Sequence, residues 1–136
     1  NPLVRGFDDR FFVPHSRHTG LNLKDLAAVP ALRVLASGRR TGPFLLSTEN
    51  GRQIFVTGHP EYDLFTLDAE YRRDLEKGLE ISVPENYYPS DDPAQRPINR
   101  WRSHAHLLYH NWLNYYVYQT TPYDLEELSP LAGEPR

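Results

Sequence analysis

The segment Gln53-Ile54-Phe55-Val56-Thr57-Gly58-His59-Pro60-Glu61-Tyr62-Asp63 changes its hydrophobic period partway along. Its first half is apolar and β-prone, a short strand running into Gly58. Beyond it, Leu64, Leu67, Tyr71, Leu75 and Leu79 recur at helical spacing, with Arg72, Arg73, Glu76 and Lys77 on other faces. A strand that turns directly into an amphipathic helix predicts an α/β class. Upstream, residues 32–36 and 43–48 read as two further short strands. Gly38 to Gly42 and Asn50-Gly51 are the turns, and Asn-Gly is a strong hairpin signal. These links are too short for parallel crossovers, so this portion of the sheet is expected to be antiparallel.

Leu3-Val4-Arg5-Gly6-Phe7 and Arg10-Phe11-Phe12-Val13 are β-prone runs around an Asp8-Asp9 turn, and Pro14-His15-Ser16-Arg17-His18 is a polar loop. Asn22 is placed to cap a short helix over 23–29, which Pro30 stops. Residues 83–97 hold four prolines and read as a long loop. Asn99 caps a last helix reaching about Tyr118, aromatic nearly all round, so several of its faces should be covered by protein. The tail after Pro122 is expected to fray.

Composition bounds the function. At 136 residues the chain fits one domain. Fifteen basic against 18 acidic side chains, a net of −3, do not suit a phosphate-tracking surface, so no nucleic-acid partner is expected. No run approaches the roughly 18 apolar residues of a membrane span and no signal-peptide pattern opens the chain, so a soluble, cytoplasmic protein is expected. There is no Cys, which excludes disulfides, thiolate metal ligands and a cysteine nucleophile within these residues. There is no Met either, and the chain opens on Asn1-Pro2-Leu3-Val4. The expectation is a piece of a longer chain, with part of the function upstream.

The sharpest chemical pattern is His59-Pro60-Glu61. In extended backbone, residues two apart point to one side, so Glu61 can hold one imidazole nitrogen while the other takes a proton. The same spacing also suits an incidental surface loop. The loop Pro14 to His18 could grip a small polar substrate or be a solvated turn. Arg72-Arg73 could form a carboxylate clamp or a solvent face in which Arg72 pairs with Glu76. His106 and His110 share a helical face, but His104 does not join them and no Glu lies between them as a metalloprotease motif requires, so no metal site is expected. No serine stands in a Gly-x-Ser-x-Gly elbow. A nucleophile for His59 is therefore expected outside this chain.

Several longer strings narrow the choice. Leu3 to Asp9 with Pro14-His15-Ser16-Arg17, Thr57 to Asp63, Pro84-Glu85-Asn86-Tyr87-Tyr88-Pro89, Trp101 to His106 and Asn111 to Tyr123 resemble, in this order, the homoserine O-acyltransferases of the succinyltransferase type. The resemblance implies a three-layer α/β fold like the class I glutamine amidotransferases (flavodoxin-like), of which residues 1–136 form the C-terminal part, and a Cys–His–Glu triad whose cysteine lies upstream. It also implies His59 as general base, Glu61 as its orienting partner, and Ser16 and Arg73 as substrate-binding residues. Acyl-CoA, succinyl or acetyl, is then the co-substrate, L-homoserine the acceptor, and no bound cofactor is required. Methionine biosynthesis is the implied setting, a homodimer the expected state of the full-length enzyme, and the fragment alone is expected to be inactive. A glutamine amidotransferase-type cysteine hydrolase and a non-catalytic structural domain are the alternatives.

Overall fold

The computed structural model describes residues 1–122 and 124. Three strands form one antiparallel sheet in the order β1 (Leu32–Gly38), β2 (Gly42–Thr48), β3 (Ile54–Val56). Around it stand α1 (Leu23–Ala27), α2 (Thr66–Glu76) and α3 (Arg102–Trp112). The α/β class and the antiparallel hairpins therefore agree with the turn chemistry. At the β2–β3 turn Gly51 has φ 69°, a conformation that glycine adopts without strain. A Cβ there would also meet Cε1 of Tyr116 at 2.6 Å. Asn50 Oδ1 accepts from the Arg52 N–H at 3.1 Å, which closes the turn.

β2 is the central strand and is buried along most of its length, as expected of a strand covered on both faces. Its Phe44 and Leu45 form one core with Leu3 and Leu108. Removing each such side chain from water stabilises by about 1.5–3 kcal/mol. Asn111 on α3 ties the chain start to this core, its Nδ2 donating to the Leu3 carbonyl at 3.1 Å and the Arg5 carbonyl at 2.8 Å. A second core joins Leu67 of α2 to Tyr87, Tyr88 and Trp101. The segment 57–63 runs between the two cores, and this placement holds the site.

Several expectations change. Pro2–Val4 is a 3-10 turn capped by the Asn1 side chain, and residues 10–13 pair with no strand among the described residues. Their β-prone side chains are satisfied by packing: Leu3 is a core residue, with Phe7, Phe11 and Val13 against it. α2 ends at Glu76, short of the Leu79 of its apolar period, and both Leu79 and Leu75 in its last turn are exposed. Asn22 caps α1 as expected, whereas the N-cap position of α3 is Trp101, and Asn99, two residues before it, accepts from the N–H groups of Trp101 and Arg102 at 3.3 and 3.1 Å. Beyond α3 the backbone continues as a π-helical segment, Leu113–Tyr118. Not all of the aromatic faces are covered: Tyr109, Trp112 and Tyr118 are exposed. The expected fraying after Pro122 falls almost entirely outside the described residues. No described helix is long and apolar enough to cross a membrane.

Candidate active site

The site begins where β3 ends. Thr57 fastens the strand to β2, its N–H donating to the Phe44 carbonyl at 2.9 Å and its hydroxyl to the Pro43 carbonyl at 2.6 Å. Gly58 follows, buried under segment 13–15. The His59 N–H then donates to the Pro14 carbonyl at 2.8 Å, which brings the polar loop beside the imidazole.

His59 Nδ1 and Glu61 Oε1 stand 2.8 Å apart, with the His side chain 35% exposed and Glu61 52%. A carboxylate accepting from Nδ1–H leaves Nε2 with the free lone pair, the arrangement a general base requires. The opposite constraint is the Tyr62 ring, stacked on the imidazole at 4.3 Å between centroids and 17° between planes. Tyr62 is itself pinned, its carbonyl accepting from Trp101 Nε1 at 3.0 Å and its hydroxyl donating to Glu70 Oε1 at 3.0 Å. Burial first, then the Glu70 carboxylate, pushes the Tyr62 phenol up to about 12. Tyr109 of α3 also feels Glu61, though burial is the larger cause of its raised pKa.

Ser16 and Arg73 come to the same place. The Ser16 hydroxyl lies close enough to the Tyr62 phenol to oppose its upward shift. Arg73 lies within electrostatic reach of Glu70 and Tyr62 while its Nε donates to Asp74 Oδ1 at 2.8 Å. Tyr62 thus touches the His59 ring, follows Glu61 in the chain, and has Ser16 and Arg73 in its electrostatic surroundings. Tyr62 and Glu70 were not singled out. The signals were there: Tyr62 follows Glu61 directly, and Glu70 sits at i−3 from Arg73 on α2.

Other candidates are structural. Arg17 gives its guanidinium to backbone, donating to the carbonyls of Thr57 and Thr41. Arg72 does not pair with Glu76 but reaches back to Asp68 at 2.9 and 3.0 Å and to the Pro93 carbonyl at 2.9 Å, fastening the proline-rich loop to α2. His104 stacks on Phe11 and pairs with Asp8 at 3.1 Å, whereas His106 and His110 are exposed. Among the described residues no group of three His, Cys, Asp or Glu side chains could hold a metal ion.

His15 borders the site from the loop side. Burial, then the nearby Arg17 guanidinium and the His59 side chain, lowers its pKa to about 4. Between about pH 6.5 and 4 the unfolded chain therefore binds a proton that the folded chain refuses. Stability is expected to fall as pH drops through that window. Thermal midpoints at pH 7 and 4.5 check this, with His15→Gln showing a smaller fall than the unsubstituted protein. A groove of about 720 Å³ opens beyond His15, lined by Arg10, Arg39, Arg40 and Arg100 among others, and does not include His59 or Glu61. For proton-transfer chemistry the hydrogen-bonded pair, rather than this groove, marks the candidate site.

Comparison with known proteins places the chain in a family. A family model for homoserine O-succinyltransferase matches residues 1–123. The homoserine O-acetyltransferase of Desulfitobacterium hafniense (strain DSM 10664 / DCB-2) is 60% identical over 126 residues, covering 93% of this chain and 41% of the relative. Those of Petrotoga mobilis and Geobacillus kaustophilus are 56% and 58% identical over 128 and 124 residues, covering 94% and 91% of this chain and 41% of each relative. The chain thus spans about two-fifths of the length of these relatives. This family match runs nearly end to end, and the chain belongs to the homoserine O-succinyltransferase family.

Proposed function

We propose that the protein carrying this chain transfers an acyl group from acyl-CoA to the hydroxyl of L-homoserine, releasing CoA, in methionine biosynthesis. The His59–Glu61 contact at 2.8 Å carries the reading, because it is a base held in one tautomer with nothing in this cysteine-free chain to activate. The nucleophile is then a cysteine in the part of the protein outside these residues. In this reading residues 1–136 are the C-terminal part of a class I glutamine amidotransferase-like α/β domain in a cytoplasmic homodimer. The fragment alone is inactive and no cofactor is bound.

The reaction is ping-pong. His59 Nε2 takes the thiol proton, and the thiolate adds to the thioester carbonyl. The tetrahedral intermediate expels CoA thiolate, which recovers the proton from the imidazolium. Homoserine then enters. His59 takes its hydroxyl proton as the oxygen attacks the acyl-cysteine, and the departing thiolate is reprotonated. Arg73 suits the acceptor's carboxylate, since a guanidinium fork matches it bidentately, once its Nε leaves Asp74. Ser16 offers a hydrogen bond beside the acceptor.

The relatives' names support acetyl as the group transferred, and the family's name supports succinyl. We take acetyl-CoA as the donor. The test is CoA release by the full-length protein with L-homoserine, acetyl-CoA and succinyl-CoA being supplied in parallel. Thiol release with acetyl-CoA exceeding that with succinyl-CoA is expected. Release with neither, together with glutamine hydrolysis, would sink the acyltransferase reading in favour of an amidotransferase.

A further inference from the structure

We propose that Tyr62 is a positioning residue with two separable contacts: its ring holds the His59 imidazole, and its hydroxyl ties that base to the acceptor-side groups Ser16, Glu70 and Arg73. The inference rests on the acyltransferase reading above.

The ring contact follows from what Glu61 leaves undone. A single hydrogen bond at Nδ1 fixes one edge of the imidazole but lets the ring swing about that bond. Glu61, half exposed, is itself a loose anchor. A near-parallel aromatic face at 4.3 Å removes the swing and aims Nε2. The Tyr62 ring can do this because it is fixed at both ends, by the buried Trp101 indole on its carbonyl and by Glu70 on its hydroxyl.

The hydroxyl contact has a different consequence. Glu70 Oε1 accepts from Tyr62, while Glu70 Oε2 is buried with no hydrogen-bond partner among the described residues. Removing the Tyr62 oxygen would leave neither carboxylate oxygen satisfied, and a buried unsatisfied acceptor is destabilising. The nearest remedy is Arg73, one turn along α2 at about 5–6 Å between Cβ atoms and already in Glu70's electrostatic reach. The guanidinium would then turn to Glu70 and away from the acceptor carboxylate. Ser16 would lose the neighbouring hydroxyl at the same time. Loss of the hydroxyl thus weakens acceptor binding, whereas loss of the ring disorders the base.

The two half-reactions separate these effects. In the full-length protein the burst of CoA release from acetyl-CoA without acceptor reports acylation, and KM for L-homoserine at saturating donor reports the acceptor side. Tyr62→Phe is expected to raise KM for homoserine about tenfold with a much smaller loss in burst rate. Tyr62→Leu is expected to slow the burst on the order of a hundredfold and to shift the base limb of its pH profile, which Tyr62→Phe leaves in place. Tyr62→Trp, which keeps an aromatic face, should recover most of the burst while retaining the acceptor defect, and it serves if the Leu variant fails to fold. Equal burst rates in the Phe and Leu variants, or a burst lost as fully in Phe and Trp as in Leu, would overturn the proposal. Absence of a burst from the unsubstituted protein would instead overturn the acyltransferase reading on which it stands.

Discussion

His59→Ala in the full-length protein is expected to lower the rate of CoA release on the order of 10³-fold, the largest effect of any single change in this chain. The size follows from the chemistry. A neutral thiol is a poor nucleophile, and without Nε2 to receive its proton only the small ambient thiolate fraction reacts. The same nitrogen serves the homoserine hydroxyl, whose own pKa is too high for spontaneous ionisation, so both half-reactions fall. Thermal stability should barely move, because the imidazole is partly exposed and its pairing with an exposed Glu61 contributes little to folding. Glu61→Ala is expected to cost less, up to about a hundredfold, since the imidazole remains and Tyr62 still holds one face. Burst kinetics and a melting curve on each variant check both statements. Wild-type turnover in either variant would remove that residue from the proposed triad.

Gly58→Ala is expected to damage both stability and activity, for a steric reason. A Cβ at this position would stand 2.8 Å from Val13 Cγ1, 3.0 Å from the Pro14 carbonyl oxygen and 3.1 Å from His15 Cε1. Val13 can change rotamer, but the Pro14 oxygen is backbone and is bound to the His59 N–H at 2.8 Å. Relief therefore requires segment 13–15 to retreat from the strand end. Forced repacking of this kind destabilises by about 1–3 kcal/mol. The retreat would also break the bond that seats His59 and draw Ser16 away from Tyr62, so turnover should fall together with the melting temperature. Gly20→Ala is the control: nothing lies within 4 Å of that position, and a change of only a few tenths of a kcal/mol is expected there. A Gly58→Ala protein as stable as the Gly20→Ala protein would show that the close approach is not needed.

The two predictions depend on different kinds of information. His59 and Glu61 could be paired from sequence because the relevant geometry is local. Residues two apart in extended chain face one way, and Pro60 between them stiffens the link. Gly58 could be recognised as a break in period, but nothing near it in sequence says that Val13, Pro14 and His15 press against it. The misread β-prone runs at the chain start make the same point. Arg10 to Val13 have strand propensity, yet propensity cannot supply a partner strand, and packing against Phe44 and His104 used the Phe11 ring instead. Arg72 shows it for charge. The i,i+4 rule allowed either Asp68 or Glu76, and only the loop carbonyl of Pro93 on the Asp68 side settled which.

From the sequence alone came the α/β class, the antiparallel hairpins, the Asn22 cap and the His59–Glu61 pair, since each follows from backbone preference or periodicity over a few residues. The tertiary structure alone decided that a tyrosine ring covers the base, and that its hydroxyl meets Glu70 of a helix with Ser16 of one loop and Arg73 in its surroundings. That meeting depends on where the two hydrophobic cores set the segment 57–63 between them. Close packing fixes such long-range positions through many weak contacts at once, so no short window of residues encodes them.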